Sequence, residues 1–225
     1  MDITYLGHSS FKIVVNSSPA GIKTKTAIIT DPFDSAMLGL KYSQVEGEIV
    51  TISHDHRDHN AQEKVGGVKK VVNGPGEYEI SGVSIIGYPS FHDNEKGAAR
   101  GKNTIYVIEA EGLRLVHLGD LGHVLAEDLI NEIGDVDVLM IPVGGEFTIG
   151  PKDAAEIVNK IEPYFVLPMH YKMAGVNAEM FAKLQPIETF LKESGYSTEN
   201  LPKLSIKKED ILEDQSTKIV VLERK

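Results

Sequence analysis

Apolar residues in the first half of the chain fall in short β-branched or aromatic runs separated by Gly, Ser and Pro, a pattern of strands. Ile3 to Leu6, Phe11 to Val15 and Ala27 to Ile29 open the series, and Glu48 to Ser53 runs directly into a cluster of histidines. Further strands are predicted at Val71-Val72, Glu77 to Ile80, Val83 to Tyr88, Thr104 to Glu109 and Leu113 to Leu118. The texture changes after Asp120. Leu125, Leu129 and Ile133 recur four apart, which predicts a helix over Val124 to Ile133. Val136 to Val143 reads as a buried strand, and Lys152 to Ile161 as a helix with Pro151 at its first position. Tyr164 to Leu167 is a strand. Asn177 is placed to cap a third helix to about Lys192, bent at Pro186, and Lys218 to Leu222 is a closing strand. The polar stretch from His92 to Asn103, with Gly97 and Gly101, reads as a surface loop.

A β-rich half followed by strand–helix alternation predicts an α/β fold of two packed sheets with helices on their outer faces. No Pro/Gly/Ser-rich linker or repeat divides the chain, so residues 1–225 are read as one domain. Cysteine is absent, which removes disulfides, thiolate ligands and cysteine nucleophiles together. The net charge of −10 argues against nucleic acid as the partner, because counterion release needs a basic surface. The N-terminal residues lack the basic and apolar regions of a signal peptide, and no apolar run approaches the roughly 20 residues of a membrane span. A cytoplasmic protein with a small-molecule partner, and no membrane or nucleic acid, is the expectation.

The chemistry is concentrated in Ser53-His54-Asp55-His56-Arg57-Asp58-His59, three imidazoles and three carboxylate or guanidinium neighbours directly after a hydrophobic strand. His and Asp are ligands for Zn²⁺ and similar ions. His54 and His56, two apart in an extended segment, point to one side. Asp58 and His59 follow the turn and can face a second ion. These four cannot complete two metal shells, and the chain offers one further ligand after each later strand: His92, Asp120 and His170.

His-x-His-x-Asp-His, then a lone His, a Gly-Asp and a final His, resembles the metallo-β-lactamase superfamily over Met1 to about Tyr171. Gly7-His8-Ser9-Ser10-Phe11, Ser90-Phe91-His92-Asp93 and Leu118-Gly119-Asp120-Leu121-Gly122-His123 resemble its short stand-alone branch that includes the ascorbate-phosphate lactonases. The resemblance implies a four-layer αββα sandwich of two mixed sheets and a two-metal site, with zinc ahead of manganese. It implies that His54, His56 and His92 hold one ion, that Asp58, His59 and His170 hold the other, and that Asp120 bridges them. Asp31, in Thr30-Asp31-Pro32, resembles the acid that orders such sites. The branch also implies a homo-oligomer.

The activity so implied is hydrolysis of an ester, lactone or phosphodiester of a small molecule by a hydroxide shared between two ions, with Asp58 aiming it. The family's diiron members carry a glutamate where His56 stands, which sets an iron redox site behind zinc or manganese. The alternative is a non-enzymatic metal-binding structural or regulatory protein with a vestigial site. His8, His123, Arg100 and Lys102 are candidates for contacts with the ligands or the substrate, the two cations towards a phosphate or carboxylate. His117, inside a strand, is expected to be a buried hydrogen-bonded residue.

Overall fold

The computed structural model describes residues 1–17, 24–211 and 216–225. In chain order the first half forms β1 (Asp2–Gly7), β2 (Ser10–Ser17), β3 (Thr24–Thr30), α1 (Ser35–Leu38), β4 (Val45–Glu46), β5 (Ile49–Ile52), β6 (Val65–Gly66) and β7 (Lys70–Asn73). There follow β8 (Gly76–Ile80), β9 (Val83–Phe91), β10 (Lys102–Ala110), β11 (Leu113–His117), α2 (Glu127–Ile133), β12 (Val138–Pro142), α3 (Pro151–Ile161) and β13 (Phe165–Met169). The chain closes with α4 (Ile187–Ser194), β14 (Ser197–Leu201), β15 (Leu204–Ser205) and β16 (Lys218–Leu222).

Among the described residues these strands build a six-stranded sheet, β15-β1-β2-β3-β5-β7, and an eight-stranded sheet, β14-β16-β13-β12-β11-β10-β9-β8. Both are mixed. Tight turns join the antiparallel pairs β1–β2 and β8–β9, whereas the parallel pairs β11–β12 and β12–β13 are connected through α2 and α3, as parallel strands require. Every residue of β12 is buried, and its apolar side chains share one core with residues of α3 and of the first sheet, as expected of a parallel strand inside an α/β fold. α3 starts with Pro151 and turns Ala154, Ala155, Ile157 and Val158 inward, at the spacing that puts them on one helical face.

Neighbouring residues in the first sheet go to opposite sides, as the pleat demands. Ile28 and Ile49 join Ile3, Phe11 and Ile13 in the core between the sheets, while Ile29, Val50 and Ile52 pack beneath Val45 and Val65. The outer layer of this sheet is therefore a short β4–β6 ribbon with its flanking loops rather than a long helix. Among the described residues no helix is long and apolar enough to cross a membrane.

Two local expectations need correction, and one strand has no signal in the sequence. The third helix does not begin near Asn177. Asn177 does accept bonds from the backbone of Glu179 and Met180, but Gln185 then bonds to Gly144 and Lys172 across the fold, and Pro186 becomes the N-cap of α4. Proline opens this helix instead of bending it, because its missing N–H costs nothing at a helix start. α2 begins at Glu127, not Val124. β14 was unforeseen: its polar sequence STENL has no strand pattern, and it exists because β16 offers a free edge.

Candidate metal centre

All of the candidate ligands lie where strands end and the two sheets meet. Asp31 follows β3, the histidine cluster follows β5, His92 follows β9, Asp120 follows β11 and His170 follows β13. Cross-sheet hydrogen bonds hold this end together. The His170 N–H donates to the His8 carbonyl at 2.8 Å, and the Thr104 N–H to the Ser53 carbonyl at 2.8 Å. The Tyr106 hydroxyl donates to the Ile52 carbonyl at 2.8 Å, and His117 Nε2 bonds the Ser9 carbonyl at 2.8 Å. His117 is thus a structural strut, as its sequence setting suggested.

Asp120 is the hub. Its Oδ2 lies 3.1 Å from His59 Nε2, 3.3 Å from His170 Nε2, 3.4 Å from His92 Nε2 and 3.9 Å from His54 Nε2. The ligand atoms of His54, His56 and His92 form one compact group, all within 4.8 Å of one another. Those of His8, Asp58, His59 and His170 form a second. His8 belongs there because its Nε2 sits 3.2 Å from Asp58 Oδ2 and its ring centroid 4.1 Å from that of His170.

The supporting residues determine which nitrogens are available. Asp31, fully buried, accepts from the Ser53 N–H at 2.8 Å and the Ser53 hydroxyl at 2.6 Å, and pairs with His59 Nδ1 at 3.0 Å. Ser53 Oγ in turn contacts His54 Nδ1 at 2.9 Å. Asp31 thereby presents the Nε2 atoms of His59 and His54 to the centre. His8, Asp31 and His170 all adopt positive φ, at 54°, 38° and 52°, a conformation non-glycine residues take where the surroundings impose it. Replacing Asp31 by Ala is expected to weaken metal affinity roughly 10–100-fold, measured by competition with a chromogenic chelator; unchanged affinity would refute this bracing role.

The electrostatics match a cation site. Burial, followed by the neighbouring imidazoles, keeps His54 well below the ordinary histidine range; burial also lowers His92 and His8 to about 4. These rings are neutral at pH 7, the form that ligates metals. Burial would likewise lower His59, but Asp120 and Asp58 overcome it and raise its pKa well above normal. Burial pushes Asp120 upward, yet His170 and His59 hold it well below the carboxylate range; Asp58 is held low by His59 and His8 against the same burial. His54 Nε2, His59 Nε2, His92 Nδ1, both ring nitrogens of His170 and Asp120 Oδ1 are buried without a hydrogen-bond partner. Buried polar atoms are seldom left so, and divalent cations at this spot would satisfy the Nε2 atoms of His54, His59 and His170, each ring offering one ligand nitrogen.

A cleft of about 410 Å³ opens over the centre, with Asp58, His56, His92 and Asp120 in its floor and Met37, Phe147, Met180 and Phe181 along one wall. Arg100 and Arg57 also face it. Lys102 lies instead in an adjoining cleft beside His54 and His56. His123 is not brought to the centre: Nε2 receives the Phe91 N–H at 3.3 Å and Nδ1 contacts the Val124 carbonyl at 3.0 Å, so both nitrogens brace backbone.

Two contributors escaped the sequence reading. Asn103 donates to the Leu118 carbonyl and Ser90 Oγ and accepts the Asp120 N–H at 3.0 Å, fixing the turn that carries the hub. Gly119 in that turn has φ 57°, and a Cβ there would lie 2.4 Å from Asn103 Oδ1. Asp93 accepts four backbone N–H groups, from Glu95, Gly97, Ala99 and Arg100, and so shapes the loop over the cleft. An Asp at the head of a Gly-containing loop was the available signal for the second; the first had none.

Comparison with known proteins assigns the chain to a family. The model of the beta-lactamase superfamily domain matches residues 2–170. A UPF0173 metal-dependent hydrolase of Thermococcus onnurineus is 33% identical over 212 residues, covering 81% of this chain and 91% of the relative. The structure of a proposed Zn-dependent hydrolase of the metallo-beta-lactamase superfamily from Thermotoga maritima superposes with a TM-score of 0.75, at 34% identity, covering 99% of both chains. A proposed metal-dependent hydrolase from Parabacteroides distasonis, at 18% identity, shares the fold with a TM-score of 0.64 over 99% of this chain and 93% of the other. The chain belongs to the metallo-β-lactamase superfamily, among its metal-dependent hydrolases.

Proposed function

We propose that this protein hydrolyses an ester or lactone bond of a small molecule with two divalent ions, zinc ahead of manganese, held in this centre. The observation that carries the reading is the ring of buried histidine nitrogens around Asp120 Oδ2, of which the Nε2 atoms of His54, His59 and His170 have no hydrogen-bond partner among the described residues. His54, His56 and His92 would hold one ion, Asp58, His59 and His170 the other, and Asp120 would serve both. When bound, such ions supply an activated water near neutral pH and positive charge for a developing oxyanion.

The chain's own residues do the rest. Asp31 and Ser53 fix the tautomers of His59 and His54. His8 holds Asp58 Oδ2, and Asp58, ionised throughout the working pH range, accepts a hydrogen bond from the attacking water and aims it. The apolar wall of Met37, Phe147 and Phe181 limits bulk water at the reacting bond. A cysteine-free chain suits a cytoplasmic setting.

The test uses protein purified without chelators or metal-affinity resin. Elemental analysis should find about two zinc or manganese ions per chain, and a panel of lactones, aryl esters and phosphodiesters should include lactones or esters turned over in a chelator-sensitive way. Turnover of phosphodiesters alone would move the substrate class. Fully metallated protein inert towards all three would refute the hydrolase reading.

A further inference from the structure

Two clefts meet at the edge of the metal centre, and Arg100 lies in the walls of both. The second, of about 460 Å³, passes behind His54 and His56 towards Gly74-Pro75, with Lys102 on its rim. Its other charged residue is Asp55, which is engaged by Asn60. Arg57, the remaining cation of the first cleft, is already paired with Asp34. The side chains of Arg100 and Lys102 have no ion-pair or hydrogen-bond partner among the described residues, although the chain carries 33 acidic groups against 23 basic ones. A cation without a carboxylate in so acidic a protein is a cation kept free.

Arg100 is also placed rather than merely present. Its backbone N–H is one of the four bound by the Asp93 carboxylate, at 2.7 Å, and Gly97 and Gly101 take the positive φ that closes the loop. Its guanidinium carbon stands 4.5 Å from the centroid of the Phe147 ring. Stacking on the ring leaves the guanidinium edge, with its N–H donors, open to an anion. Phe147 continues into the apolar wall with Met37, Phe181 and Met180, the last 43% exposed. An apolar surface and an unpaired guanidinium thus lie side by side above the centre.

From this juxtaposition we infer that the substrate is an amphipathic anion: its apolar body lies on the Phe147–Phe181 wall and a carboxylate or phosphate remote from the scissile bond is held by Arg100, with Lys102 beside it. The inference deepens the hydrolase reading above and rests on it for the word substrate; the binding of such an anion stands without it. Arg100 acts here as a specificity-determining residue and takes no part in bond cleavage.

Two measurements separate the claims. The first is binding of 1-anilinonaphthalene-8-sulfonate, an aromatic anion, against N-phenyl-1-naphthylamine, the same body without the charge, followed by fluorescence on metal-replete and metal-stripped protein. Wild type should prefer the anion in both forms. R100Q should weaken anion binding about tenfold relative to the neutral probe, the size of a lost charge-assisted hydrogen bond, R100K should recover part of it, and K102Q should cost less. An anion preference equal in wild type and R100Q overturns the proposal. The second is the ratio of kcat/KM for p-nitrophenyl hemiglutarate to that for p-nitrophenyl pentanoate, with a phosphate-bearing ester as a third arm to tell the two anions apart. The ratio should collapse in R100Q through KM. A ratio that R100Q leaves unmoved again overturns it. Loss of turnover for every ester, with the probe preference intact and Arg100-dependent, would sink the hydrolase reading and leave the anion site standing.

Discussion

Asp120→Asn should lose most of its bound metal and at least about a thousandfold of its hydrolytic rate. Asp120 contributes the formal charge at the middle of the centre, with Oδ2 within 3.4 Å of His59, His92 and His170. The amide that replaces it keeps the size of the group and the backbone bond to Asn103, so the turn survives. It cannot supply a negative charge shared by two cations. Several kcal/mol of charge stabilisation is at stake, and each 1.36 kcal/mol is about tenfold in rate. The assay is metal stoichiometry by elemental analysis together with turnover at saturating added metal. Retention of two ions per chain would show that Asp120 is not the shared ligand.

Asp58→Asn should behave differently. Asp58 stands at the edge of the centre, in the floor of the open cleft, with His8 bound to Oδ2. Asparagine retains an oxygen for His8, so the fold and much of the metal should remain. What disappears is a carboxylate held ionised by His59 and His8, the group proposed to accept a hydrogen bond from the attacking water. General-base contributions of this kind amount to roughly 10²–10⁴ in rate. A melting temperature within a few degrees of wild type, at least one retained ion and kcat lowered by two or more orders of magnitude are the expected results. Near-native kcat in that variant would sink the assignment. The pair separates a residue that assembles the centre from one that aims the chemistry within it.

Much of the site was legible because metal ligation writes itself into short segments. His54, His56, Asp58 and His59 are fixed by a strand that ends and a chain that turns, both local events. His92, Asp120 and His170 could be picked out as polar residues after apolar runs, although their convergence came from a family resemblance. His8 carried a weaker signal. Its place among the ligand-capable residues arises because the His170 N–H reaches its carbonyl across the two sheets, a contact of residues 162 positions apart for which neither neighbourhood gives a cue. The same holds for His123, which looked suitable by proximity to Asp120 yet turns both nitrogens to backbone.

The fold divides along the same line. Alternating and continuous apolar runs, the Pro at the start of α3 and the long-spaced leucines before Ile133 sufficed to predict an α/β fold of two packed sheets, since pleat and helical period are properties of consecutive residues; that both sheets are mixed came from the family resemblance. The stop at Gln185, the polar strand β14 and the thin outer layer of the first sheet depend on partners supplied by distant chain, and no local pattern encodes them. By itself the sequence determined the donor types, the strands that carry them and the absence of thiol chemistry. Only the tertiary structure decided that the ligand atoms surround Asp120, that Asp93 folds the loop over the cleft and that Arg100 stands unpaired beside Phe147. Those relations are set by the packing of two sheets against each other, where side chains far apart in the chain meet and burial determines which charges must be matched.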